Sequence, residues 1–134
     1  MNSIVKQKKN ILVVDNEEKI CDLIRIFLKL SPHIDKVITA TNALLASQKM
    51  QNQEFDLLIV DHLMPGKKGV EFVQALRKTL KHENLKVILI SGCLDKETVM
   101  EALSAKIHDV LVKPFTRKQL FEKVDKLLDI ETDA

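Results

Sequence analysis

The chain has 134 residues, 46% hydrophobic and 30% charged, which suits one globular domain large enough to bury its own core. Its formal net charge of +2 comes from interspersed acids and bases, and with no Trp, no Tyr and five Phe it offers little for base stacking, so nucleic-acid binding is not expected. No apolar run approaches the ~20 residues of a membrane span and the basic start lacks the apolar stretch of a signal peptide, so no membrane contact and a cytoplasmic location are the expectation.

Residues 1–9 form a basic arm in which Lys6, Lys8 and Lys9 are expected to be solvated. "NILVVD" is the first strand, apolar at consecutive positions as in a parallel sheet buried on both faces, and it runs into Asp15, Asn16 and Glu17. A helix follows with Ile20, Leu23, Ile24, Phe27 and Leu28 on one face, stopped by Ser31-Pro32. "KVITA" is a second, edge strand, and a weaker helical pattern covers 43–50. "DLLIVD" ends on Asp61 before the break at Pro65-Gly66, and Val70, Val73, Leu76 and Leu80 stripe the third helix. "KVILIS" ends on Ser91, a weak helix spans 95–105, and "HDVLVK" ends on Lys113-Pro114. Thr116 can cap the last helix, striped by Leu120, Phe121, Val124, Leu127 and Leu128. The polar end 131–134 is a frayed terminus or the start of a linker, around a core of about 10–130.

Five βα units imply a five-stranded parallel sheet with helices on both faces, and ligands of such sheets gather at the carboxyl ends of the strands. Those ends carry Asp15, Asp61, Ser91 and Lys113. Two close carboxylates need a proton or a shared cation, and an oxygen-only set suits Mg2+ or Mn2+. An ammonium and a hydroxyl beside that cation suit a phosphoryl group, which a carboxylate can accept as an aspartyl phosphate. Cys21 and Cys93 form no metal motif, and His33, His62, His82 and His108 have no ligand spacing.

"ILVVDNE", "DLLIVDHLMPGKKG", "VILISG" and "DVLVKPF", in this order, resemble the receiver domain of two-component response regulators over about residues 10–128. The resemblance implies a flavodoxin-like (βα)5 sandwich of strand order 2-1-3-4-5. It makes Asp61 the phosphoacceptor, served by a sensor histidine kinase or a histidine phosphotransfer protein. Asp15, Asn16, Asp61 and the backbone carbonyl of Leu63 would hold the metal. Ser91 and Lys113 would contact the phosphoryl group, with Ser91 reorienting to carry the signal, and the bond to Pro114 would be cis. The face of the fourth helix, fifth strand and last helix would meet a downstream effector or domain, and phosphorylation could bring two copies together.

Three departures from the family pattern, at four positions, matter. Asn16 stands where a second acid is usual and should weaken Mg2+ binding. Val110 replaces an aromatic that swings inward on activation, so the switch should be muted or differently built. Leu63 and Cys93 occupy positions that tune phosphate loss, and an apolar Leu63 would not position water, so the phosphoaspartate should hydrolyse slowly. Asn16 and Val110 leave a degenerate receiver, docking without phosphorylation, as the alternative function. A flavodoxin would need a Ser/Thr/Gly-rich loop where "DNEEKI" stands, and an aspartate-based phosphatase a second Asp at Leu63. Glu17 suits either a helix N-terminus or the metal site, and Lys67 and Lys68 suit a solvated loop.

Overall fold

The computed structural model describes residues 7–130, so Lys6 of the basic arm and the tail 131–134 lie outside the described residues. Strands and helices alternate: β1 (Lys9–Val14), α1 (Glu18–Leu28), β2 (Ile34–Ala40), α2 (Ala43–Asn52), β3 (Leu57–Asp61), α3 (Gly69–Arg77), β4 (Lys86–Ser91), α4 (Lys96–Ser104), β5 (Asp109–Val112) and α5 (Arg117–Leu127). All pairings are parallel, in the expected order β2-β1-β3-β4-β5. Val14 stands beside Val60, Asp61 beside Ile90, and Ser91 beside Val112, so the carboxyl ends of the four inner and far strands finish nearly level.

The continuous apolar runs are explained by two cores, one on each face of the sheet. Ile11, Val13, Leu57, Ile59, Ile88 and Ile90 pack with Cys21, Ile24 and Leu28 of α1 and Leu120 and Val124 of α5. Leu12, Val14, Leu58, Val60, Val87 and Leu89 point the other way, onto Ala46 and Met50 of α2, Phe72 and Val73 of α3, and Ala102 of α4. Successive strand residues thus serve opposite cores, the period of two seen from both sides. Each fully buried Leu or Ile contributes about 1.5–3 kcal/mol, so removing one from the centre of either core costs a large part of the stability.

Two helical stripes differ from the sequence expectation. Leu23 is 38% exposed, because α1 centres its buried face on Cys21, Ile24 and Leu28 and leaves Leu23 at the margin. Leu80 is 87% exposed, because α3 ends at Arg77 and the chain enters a 3-10 turn at Leu80–His82 that carries it off the helix face. The carbonyl of Leu76 accepts both the Thr79 N–H (3.0 Å) and the Thr79 hydroxyl (2.8 Å), which fixes that exit. α1 likewise stops at Leu28, before Ser31-Pro32, with the Ser31 N–H on the Leu28 carbonyl at 3.0 Å.

The other helix ends follow capping chemistry. Asn42 and Asp95 accept from the N–H groups of Leu45 and Thr98, and Thr116 exchanges bonds with Gln119 in a capping box. α4 closes with the Lys106 N–H on the Leu103 carbonyl and the Ile107 N–H on the Ala102 carbonyl, Lys106 taking φ +57° where glycine is usual. Arg77 secures this turn: its guanidinium donates to the carbonyls of Ala105 (3.2 Å), His82 (2.8 Å) and Lys106 (2.9 Å).

Candidate phosphoacceptor site

The four chemically distinctive strand ends meet in one place. β1 delivers Asp15, held by its N–H on the Ala40 carbonyl (3.1 Å) and fully buried. β3 delivers Asp61, 5% exposed and paired beside Ile90. β5 delivers Lys113, whose N–H is fixed on the Ser91 carbonyl at 2.8 Å and whose bond to Pro114 is cis, as the resemblance implied. Lys113 Nζ lies 3.3 Å from Asp15 Oδ2, 3.4 Å from Asp61 Oδ1 and 3.4 Å from Glu17 Oε1.

Charge and burial shape this cluster together. Burial raises the Asp61 carboxyl above its ordinary range, Asp15 raises it further, and Lys113 offsets only part of the rise. Burial alone would lower the Lys113 ammonium, but Asp15 and Asp61 overcome it and hold the group above its usual value. Asp15 Oδ1 accepts the Glu17 N–H at 2.8 Å, a turn that leads into α1. Asp15 Oδ2 is buried and accepts no well-aligned hydrogen bond, although the ammonium stands beside it. A carboxylate oxygen kept from water and short of donors fits a cation. Among the described residues no three His, Cys, Asp or Glu side chains are already arranged to hold a metal, so a cation here would need carbonyl or water oxygens as well.

Ser91 is buried at the same edge, but its hydroxyl is turned into its own loop. It donates to the Cys93 carbonyl at 2.7 Å and accepts from the Cys93 N–H at 3.3 Å. Asn16 is exposed and stands outside the group gathered on Lys113. Leu63, 65% exposed, and Cys93, whose thiol lies 3.5 Å from Asp95 Oδ2, flank the site. Val110 is half-buried and packs with the core under α2, α3 and α4. Lys67 and Lys68 are exposed, as a solvated loop requires.

Two contacts were not legible beforehand. Gly69 starts α3 so close to β3 that a Cβ there would overlap the main-chain carbonyl oxygen of Asp61. His62, directly after Asp61, is buried with Nδ1 unpartnered and Nε2 3.9 Å from Glu101 of α4. Both depend on how closely β3, α3 and α4 approach in space, which a local pattern does not encode.

The family model of the response regulator receiver domain matches residues 11–125, most of the chain. The chain belongs to this family. The receiver is 27% identical to the chemotaxis protein CheY-3 of Vibrio cholerae, over 96% of this chain and 98% of that protein. The crystallised chemotaxis protein CheY4 of Vibrio cholerae superposes with a TM-score of 0.84 at 26% identity, covering 90% of this chain and 98% of that one. The response regulator TrrA of Thermotoga maritima, solved in complex with Mg2+ and BeF, gives a TM-score of 0.76 at 33% identity over 89% of this chain and 98% of that one. Receivers of this family work as signalling proteins, and Mg2+ binding and phosphorylation are general properties of the family. No helix among the described residues is long and apolar enough to cross a membrane.

Proposed function

We propose that this receiver is a phosphorylation switch in which Asp61 accepts the phosphoryl group from a partner's phosphohistidine. The observation that carries this reading is the convergence of Asp15 and Asp61 within 3.4 Å of the Lys113 ammonium nitrogen, at the buried end of the central strands. An Asp61 oxygen attacks phosphorus while the bond from phosphorus to the donor nitrogen breaks. The Lys113 ammonium, already poised beside Asp61, neutralises the arriving phosphoryl oxygens. Asp15, Asp61 and the backbone carbonyl of Leu63 are the oxygens offered to Mg2+ or Mn2+, with the exposed Asn16 amide set apart from them. When bound, that cation supplies positive charge to the phosphoryl oxygens.

For the hydroxyl of Ser91 to reach the phosphoryl group, it must leave the Cys93 carbonyl, and that exchange is the proposed start of the output step. Val110 is too small to follow it with a swinging ring. The output face proposed from the family pattern carries exposed Val99, Met100 and Leu103 on α4. At the mouth, Leu63 offers no polar atom beyond its backbone to hold an attacking water, which favours a long-lived phosphoaspartate.

Treatment with acetyl phosphate and Mg2+ is expected to shift the wild type on a phosphate-affinity gel and to leave Asp61→Asn unshifted. After donor removal, the shifted band should persist. An unshifted wild type would overturn the phosphoacceptor assignment, and rapid decay would overturn the slow-hydrolysis part alone.

A further inference from the structure

We propose that Glu17, rather than Asn16, completes the cation pocket, its carboxylate serving through the waters of the cation, a role that rests on the phosphoacceptor reading above. The amide at Asn16 removes one negative charge from the loop after β1, and Asn16 itself is exposed outside the cluster. The next residue restores that charge. Glu17 occupies the N-cap of α1, yet its side chain makes no capping hydrogen bond, so the ordinary use of a polar side chain at that position is not taken up. Instead Oε1 reaches 3.4 Å from Lys113 Nζ, on the same ammonium as Asp15 and Asp61.

The backbone directs this reach. Asp15 Oδ1 accepts the Glu17 N–H at 2.8 Å and closes the turn that places Glu17 at the start of α1. The opposite oxygen, Asp15 Oδ2, is fully buried and accepts no well-aligned hydrogen bond, with only the Lys113 ammonium at 3.3 Å beside it, and is the independent sign that this edge suits a cation. Glu17 need not enter the inner shell of that cation. Mg2+ retains several waters when bound to protein carboxylates, and a carboxylate beside those waters accepts their protons in hydrogen bonds. The Glu17 side chain is 61% exposed, so it can turn from the ammonium toward such waters without disturbing either core. In turning, it frees Lys113 from one of three carboxylates just as the phosphoryl oxygens need it.

Mg2+ titrations by isothermal calorimetry, on the full chain, distinguish the two neighbours. Outer-shell partners of bound metals change affinity by about 10–100-fold, so Glu17→Gln is expected to weaken Mg2+ binding about tenfold or more. Glu17→Asp should recover part of that loss, and Asn16→Ala should cost less than Glu17→Gln. Circular dichroism melts without Mg2+ should show all three variants folded, as an exposed position allows. Equal or greater loss in Asn16→Ala overturns the inference. If the wild type binds Mg2+ and is phosphorylated on Asp61 while Glu17→Gln binds Mg2+ unchanged, the inference falls and the switch function stands. A wild type that binds no Mg2+ removes both.

Discussion

Gly69→Ala tests whether the start of α3 sets the position of Asp61, the proposed phosphoacceptor. A Cβ at this position would overlap the carbonyl oxygen of Asp61 and stand 3.0 Å from its carbonyl carbon and 3.2 Å from Val60 Cγ2. The obstacle is backbone, and that backbone is itself tied down. His62 donates its N–H to the Ile90 carbonyl at 2.8 Å and accepts the Gly69 N–H at 2.9 Å. Neither strand nor helix can yield without stretching these bonds. Forcing a methyl group into packed structure costs about 1–3 kcal/mol, and a fixed main-chain neighbour places the cost at the upper end. The helix-forming gain of Ala over Gly returns at most about 1 kcal/mol. A net loss of about 2 kcal/mol is expected, or about 8 °C in melting temperature for a domain of this size. Because the displaced group is the backbone of Asp61, phosphorylation by acetyl phosphate should also slow by at least about tenfold. Gly66→Ala and Gly92→Ala are the controls. Gly66 has open space but φ +86°, so strain alone costs about 1 kcal/mol, and Gly92 has neither a close neighbour nor a positive φ. Thermal melts and phosphate-affinity gels on the three variants should rank Gly69 as the most damaging. A Gly69→Ala protein as stable and as readily phosphorylated as the wild type would refute the reasoning.

Two further outcomes follow from the same structure. Burial and Asp15 raise the Asp61 carboxyl above its ordinary 3.8, so the folded chain holds that proton more tightly than the unfolded one and stability is lost as pH rises from about 3.8 through the raised value. In buffer free of divalent cations, urea titrations should find Asp61→Asn more stable than the wild type at neutral pH, with the advantage vanishing toward about pH 4; a pH-independent difference would contradict this. Arg77→Ala removes three bonds to the carbonyls of Ala105, His82 and Lys106 and should cost about 2 kcal/mol by urea unfolding, with Arg77→Lys recovering little because an ammonium cannot span all three.

The sheet was legible because its evidence is local. "NILVVD", "DLLIVD" and "KVILIS" are apolar at every inner position, and only a strand covered on both faces wants that. The polar residue closing each run was equally local, so Asp15, Asp61, Ser91 and Lys113 could be placed on one edge from topology alone. What escaped was set by distances between elements. Leu80 keeps the period of α3 but falls beyond the helix end, because Thr79 and Arg77 turn the chain there. The overlap awaiting a Cβ at Gly69 depends on how near α3 lies to β3, and the glycine alone suggested only backbone freedom. The direction of a hydroxyl is subtler still. Ser91 is where the sequence put it, yet its bond to the Cys93 carbonyl is a matter of one rotamer.

The cluster on Lys113 also says something about admission. The protein as a whole carries a formal excess of two positive charges, which draws anions toward it. At the doorway the balance reverses, since three carboxylates surround a single ammonium and leave two negative charges in excess. A phosphoryl donor gathered by the outer field therefore meets repulsion in its final few ångströms. A divalent cation cancels that excess charge for charge. On the proposed reading, the magnesium level around the protein, as well as the donor, would decide when the switch can be thrown.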